Sequence, residues 1–386
     1  MDLTNSKLSS FDFEGKRVLL RVDFNIPIRD EEVLNDERMG RALPTIKHLL
    51  EKAKSLRIIT HRGRPQESGE VQPEFSIKPI AKRLSQLLDI PIPIADSLDG
   101  LEQDEKIIML ENIRFFQGEK ENSGNLSKKL GNFGDVYIMD AFGTAHRKQA
   151  STFGVIDSVA EAGVGFLVED ELEALKKILV NPKKPLIGII GGSKISTKIN
   201  VIDSLTSYVD KLIIGGALAN TCYMAMGKNI GKSLFEEDYL DVAEKLVSNE
   251  KIVLPKNVVV LDTSNDSVAE KHIDDIASHE AICDVGKKSL EYFQKHINSA
   301  KTVFWNGPLG KFEDPRFSEG TSEVAKIMSE SEAYSIIGGG ETITSFANIN
   351  LMDSVDYAST AGGAFLEYIE NNSLPCIDKI ITKNKG

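Results

Sequence analysis

The sequence predicts an α/β protein made of two parallel-sheet domains, each with helices on both faces of its sheet. Three observations lead there. A chain of 386 residues exceeds the roughly 250 to 300 residues at which one hydrophobic core stops growing. Short β-branched runs alternate with longer stretches of helical period, the pattern of parallel sheets covered on both faces. The runs also fall into two sets, separated by one charged amphipathic segment.

In the first set, RVLLRV (17–22) brackets aliphatic residues between arginines, RIIT (57–60) and KIIML (106–110) open on a cation, and VYIMD (136–140) closes on an aspartate. The separating segment, VEDELEALKKILVNPKKP, has acids early, lysines late and Pro182 near its end, so it suits a helix near 168–181 that complements its own dipole. The second set is LIGII (186–190), KLIIG (211–215), NVVVL (257–261), TVFW (302–305) and SIIG (335–338).

Composition removes several functions. With 58 acidic against 46 basic residues the formal net charge is -12, which disfavours nucleic acid and anionic membrane as partners. Cys222, Cys283 and Cys376 stand far apart with no CxxC pair, so neither a disulfide framework nor a zinc site is predicted. The opening MDLTNSKLSSFDFEGK lacks the apolar block of a signal peptide, and no long uninterrupted apolar stretch occurs. A cytoplasmic protein is expected.

Chemistry concentrates just after the strands, where parallel α/β sheets bind ligands. The first set runs into DFN, HRGR, ENIRFF and DAFGTAHRKQAST, and three of these four deliver arginine. The second set runs into GGSK, GGALAN, WNGPLG and GGGET, glycine-rich turns whose bare amides can approach a phosphate. One half offers guanidinium and imidazole, the other offers backbone, which suggests two different anions. Taken singly, these residues admit plain roles: loop arginines cap carbonyls, Asp23 and Asn25 before Pro27 build turns, and glycine pairs serve turns. Lys194 and Lys198, four apart before a helical stretch, would share one helix face and repel unless an anion lay between them. No GxGxxG occurs, and GKNIGKS (227–233) falls short of a P-loop.

Ten segments in order, KRVLLRVDFNIP, HRGRP, ENIRFF, DAFGTAHRKQAS, GGSKISTKI, IIGGALANT, IGKSLFEED, FWNGPLGKFE, IIGGGET and STAGGAFLEYIE, span nearly the whole chain. Together they resemble the phosphoglycerate kinase family. The resemblance implies two Rossmann-like, three-layer α/β/α domains facing across a hinged cleft, and reversible phosphoryl transfer from 1,3-bisphosphoglycerate to ADP, giving 3-phosphoglycerate and Mg-ATP in glycolysis. It implies a monomer. By resemblance Asp23, Asn25, His61, Arg64, Arg114 and Arg147 hold the phosphoglycerate, and Arg38 reaches the transferring group. Lys198 meets that group from the nucleotide side, with Lys194 beside it. Gly192, Gly215 and Gly216 shape the adenine pocket, Asn306 and Pro308 form the turn beneath the nucleotide, and Glu313 takes the ribose hydroxyls. Gly338, Gly339, Gly340, Glu341 and Thr342 cradle phosphates and Mg2+, with Glu341 as the metal ligand.

The resemblance also implies that residues 370–386 return to a first domain of residues 1–167, leaving 182–369 as the nucleotide domain. Four positions depart from the common family pattern: Glu341 replaces aspartate, Ala361 a glycine, Arg62 a leucine and Ser193 an alanine. A catalytically silent relative or a two-lobed ligand carrier are the other classes these residues admit. Retention of Arg38, Lys194 and Lys198 favours the active enzyme.

Overall fold

The structure is a computed structural model that describes residues 2–102 and 104–385. Met1 and Gly386, the ends of the expected first domain, lie outside the described residues. Contacts divide the chain into two compact units, Met1–Glu173 with Ser373–Gly386, and Ala174–Asn372. The first division falls inside the helix Phe166–Leu179, which starts two residues before the expected 168. It starts there because Asp140 Oδ1 accepts from the amides of Leu167 at 3.1 Å and Val168 at 3.4 Å. The second division lies beyond the expected 369 because the helix Gly363–Asn371 runs on to a left-handed cap at Asn372, φ 52°.

Among the described residues, the first unit carries a six-stranded sheet in the order Ile94–Ala95, Ile107–Leu110, Ser55–Ile59, Arg17–Val22, Val136–Asp140 and Glu161–Val164. Every pairing is parallel. The central strands are buried on both faces, which is why they read as continuous apolar runs rather than alternating ones. The helix Glu37–Lys52 sets Met39, Ala42, Ile46 and Leu49 into the core, against Leu20, Val22 and Ile58 of the sheet. The terminal helix Pro375–Lys383 belongs to this unit. It buries Cys376, Ile377, Ile380 and Ile381 along one stripe, and the Cys376 amide donates to Ala145 O at 3.1 Å.

The second unit has a parallel sheet in the order Ile252–Val253, Lys211–Ile214, Leu186–Ile190, Thr302–Asn306, Tyr334–Gly338 and Tyr357–Ser359. A second sheet corrects one sequence expectation. The run at 257–261 is not part of the parallel set; Asn257–Asp262 is the middle strand of an antiparallel sheet, between Val268–His272 and Glu280–Val285. Burial along it alternates, because one face of this sheet is only half covered. Among the described residues no helix is long and apolar enough to cross a membrane.

Candidate active site

Because the first unit's strands are parallel, the residues that follow them emerge along one sheet edge. Asp23 Oδ2 accepts from Arg38 Nη1 at 2.7 Å, and Asp23 Oδ1 accepts the Asn25 amide at 3.1 Å. Asn25 Oδ1 in turn accepts the Gly63 amide at 2.9 Å, and Arg114 Nη1 donates to Gly63 O. His61 Nδ1 receives Arg21 Nη2 at 3.3 Å and lies 3.9 Å from Asp23 Oδ1. Arg147 Nε donates to His146 Nε2 at 3.2 Å, and its charge acts on both His61 and Arg114. The structure thus joins Asp23, Asn25, Arg38, His61, Arg114 and Arg147 in one cluster. Arg64, next to Gly63, is exposed.

Electrostatics in this cluster are unbalanced. Burial pushes Arg114 down, and Arg147 and Arg21 push it further, to about 10, against Glu119 and Asp23. It stays a cation at neutral pH, crowded by other cations. Burial, opposed by Asp23 and reinforced by Arg21, Arg114 and Arg147, holds His61 well below its ordinary value, so the ring is neutral at pH 7. For Asp23, burial favours the acid, but His61, Arg38, the Asn25 amide and Arg21 outweigh it and lower the carboxyl. A bound polyanion would relieve the cation crowding. His146 is also neutral, drawn down to about 4 by burial and Arg147, against Asp23.

In the second unit, the turn after Leu186–Ile190 corrects the expectation for Lys194 and Lys198. Lys194 is extended, at φ −133° and ψ 119°, a 3-10 turn covers Ile195–Thr197, and the helix begins only at Ile199. The two lysines therefore do not share a helix face. Lys194 is exposed. Lys198 turns inward, and its Nζ donates to Gly191 O at 2.6 Å, Asn306 Oδ1 at 2.7 Å and Asn306 O at 3.3 Å. Burial lowers its pKa to about 8, opposed by Glu341. From Asn306 the network continues: Nδ2 donates to Gly338 O at 2.7 Å, and the Gly307 amide donates to Thr342 Oγ1 at 2.7 Å. Gly339 precedes the helix Gly340–Asn348, with Glu341 exposed in its first turn.

Close backbone approach explains two glycines here. At Gly307, φ is 91°, and a Cβ would lie 2.3 Å from Gly191 O and 2.5 Å from Lys198 Nζ. At Gly216, φ is 66°, and a Cβ would lie 2.6 Å from Gly192 O. Beside this turn opens a cavity of about 240 Å³ that draws in Gly192, Gly216, Pro308, Glu313 and Glu341. Gly215 is buried behind it, where its amide donates to Ile190 O at 3.0 Å. The apolar walls, Tyr223, Leu234, Val258 and Ile282 among them, escaped the sequence reading, since apolar lining follows no motif.

The sequence reading also missed Arg21, which sits inside the strand Arg17–Val22 at 1% exposure. A signal existed, because an arginine inside a fully buried apolar strand needs a partner. Among the described residues no cluster of three or more His, Cys, Asp or Glu could hold a metal by itself. The exposed carboxylate of Glu341 suits Mg2+, which takes one or two carboxylates and fills its shell with phosphate and water oxygens.

Residues 8–372 match a protein-family model described as phosphoglycerate kinase. A phosphoglycerate kinase of Francisella philomiragia subsp. philomiragia is 43% identical over 388 residues, covering 98% of each chain. The solved phosphoglycerate kinase from Coxiella burnetii superposes with a TM-score of 0.90 at 42% identity, over 97% of this chain and 98% of that one. The phosphoglycerate kinase from Pyrococcus horikoshii OT3 superposes at 0.83 with 28% identity, over 98% and 99%.

Proposed function

The chain belongs to the phosphoglycerate kinase family, and from that premise we propose that its first unit binds 3-phosphoglycerate or 1,3-bisphosphoglycerate and its second binds ADP or ATP. It transfers the acyl phosphate of 1,3-bisphosphoglycerate to ADP, reversibly, as a monomer in cytoplasmic glycolysis.

In this reading Arg64, Arg114 and Arg147 take the 3-phosphate with their planar forks, while Asp23, Asn25 and His61 orient the rest of the phosphoglycerate. The nucleotide base enters the cavity at Gly192, Gly216 and Pro308, backed by Gly215, and Glu313 takes the ribose. Lys194, Asn306, Gly338, Gly339, Gly340 and Thr342 serve the phosphate chain. Glu341 would hold Mg2+, which supplies positive charge to the nucleotide phosphates.

The chemistry needs little acid or base. The attacking oxygen is already ionised in either direction, so catalysis rests on in-line placement and on charge supplied to a metaphosphate-like group. Arg38 and Lys198 supply that charge from the two ligand sites. Transfer requires the two ligands to meet, so the proposal includes a hinge motion that aligns them and excludes the water that would hydrolyse the acyl phosphate.

The observation that carries the reading is Lys198, an inward ammonium anchored on three carbonyl oxygens beside the cavity. The test is a coupled assay of ATP consumption with 3-phosphoglycerate and Mg2+. Turnover that needs all three supports the assignment; ATP binding without such turnover refutes it.

A further inference from the structure

Behind the basic cluster of the first unit a buried chain of polar groups ends on His61. Glu119, fully buried, accepts the Ser151 amide on Oε2 at 2.9 Å and the Ser151 hydroxyl on Oε1 at 2.6 Å. Ser151 Oγ accepts Arg21 Nε at 3.0 Å. Arg21 spends Nη1 on Val22 O and directs Nη2 at His61 Nδ1, 3.3 Å away. All four residues are at most 2% exposed.

Donor and acceptor roles along the chain follow from chemistry. Guanidinium has only donors. Nδ1 of His61 must therefore present its lone pair to Arg21, and in a neutral ring the proton then sits on Nε2. Among the described residues no hydrogen bond engages His61 Nε2, and it is not one of the buried unpaired nitrogens, as His146 Nδ1 and His296 Nε2 are. It is the ring atom left for a ligand.

We propose that Glu119 is a positioning residue for the reaction: through Ser151 and Arg21 it fixes His61 as the Nε2–H tautomer, so that bound phosphoglycerate meets a hydrogen-bond donor rather than a lone pair. The inference rests on the substrate reading given above. The surrounding charges agree with it. Arg114 and Arg147 face the ring with Arg21 and disfavour imidazolium, leaving a neutral donor. Asp23 Oδ1, at 3.9 Å from Nδ1, is beyond hydrogen-bond range and does not compete for an Nδ1 proton. Burial outweighs Arg21, both Ser151 donors and Arg114 and raises the Glu119 carboxyl above its ordinary value. Both of its oxygens accept from Ser151, which leaves the Ser151 hydroxyl lone pair to Arg21 Nε.

The test is nitrogen-15 NMR of histidine-labelled, full-length protein without ligand. The chain has six histidines, so His61 is identified by the signal lost in His61→Gln. The expected spectrum has a protonated Nε2 and a bare Nδ1 in the wild type, and a mixture of tautomers in Glu119→Ala and in Ser151→Ala. Ser151→Ala removes a single oxygen and keeps the inference testable if Glu119→Ala does not fold. In either variant the KM for 3-phosphoglycerate should rise in inverse proportion to the remaining Nε2–H fraction, about twofold for an even mixture, with that for ATP unmoved. A wild-type Nδ1–H signal, or a tautomer unchanged in both variants, overturns the inference. The tautomer is read without substrate, so a wild type lacking 3-phosphoglycerate-dependent turnover sinks the functional reading and leaves this one to be decided by its own spectrum.

Discussion

Replacing Lys198 by alanine removes the ammonium that the site holds on Gly191 O and both oxygens of Asn306. A unit charge about 4 Å from the transferring group, at an effective permittivity near 20, is worth about 4 kcal/mol, or roughly 10³-fold in rate. The coupled assay should therefore show kcat down by about that factor in Lys198→Ala. Melting should change much less, because the vacated space lies beside the open cavity and admits water. Burial supplies a second signature. With a pKa of about 8, free Lys198 is charged below that pH and loses its proton above it. Wild-type kcat/KM for the nucleotide should thus fall about tenfold per pH unit above 8. In Lys198→Arg the residual kcat/KM should be flat from pH 7 to about 9, because an arginine at this position keeps its charge over that range. Lys198→Ala retaining a tenth or more of wild-type turnover, or a wild-type profile flat through about pH 9.5, would refute charge stabilisation by this residue.

Arg38→Ala should cut kcat by at least about 100-fold, as for loss of one transition-state donor, with the KM for ATP unchanged; steady-state kinetics in both directions would show it. Gly307→Ala forces a methyl at φ 91° to within 2.3 Å of Gly191 O. Backbone strain of about 1–2 kcal/mol and overpacking of about 1–3 kcal/mol should lower Tm by about 5–15 °C by calorimetry. Asp140 sits buried with its Oδ2 unpaired, and burial, opposed by Thr45 and the amides of Val168 and Leu167, raises its pKa to about 7. Its folded value lies above its unfolded one, so its contribution is fully present below about pH 4 and lost as pH rises through 7. Asp140→Asn should melt higher than wild type at pH 8, by a margin that shrinks toward pH 5 in a pH series of melts.

Central strands were legible because a strand buried on both faces writes itself as an uninterrupted apolar run. RVLLRV, VYIMD and LIGII coincide with Arg17–Val22, Val136–Asp140 and Leu186–Ile190. Edge strands such as Ile94–Ala95 and Ile252–Val253 are two residues long, too short to show a period. The antiparallel sheet was misread because NVVVL has the composition of a buried parallel strand, and only its partners reveal the alternation. Residues of the basic cluster were legible from their positions after strands. Arg21 was not, because its partners lie 40 and 130 residues away.

The amino-acid sequence by itself determined the family, the parallel α/β architecture and the residue types at the strand ends, since each is carried by local runs and ordered motifs. Tertiary structure decided the protonation states and the contacts. Lys198 turns inward while Lys194 faces water because the helix starts at Ile199 rather than before Lys194. His61 is neutral because burial and three arginines converge on it, Arg21 from a strand, Arg114 from a 3-10 turn and Arg147 from a loop. Burial and convergence are properties of the packed chain, and no local stretch of sequence encodes them.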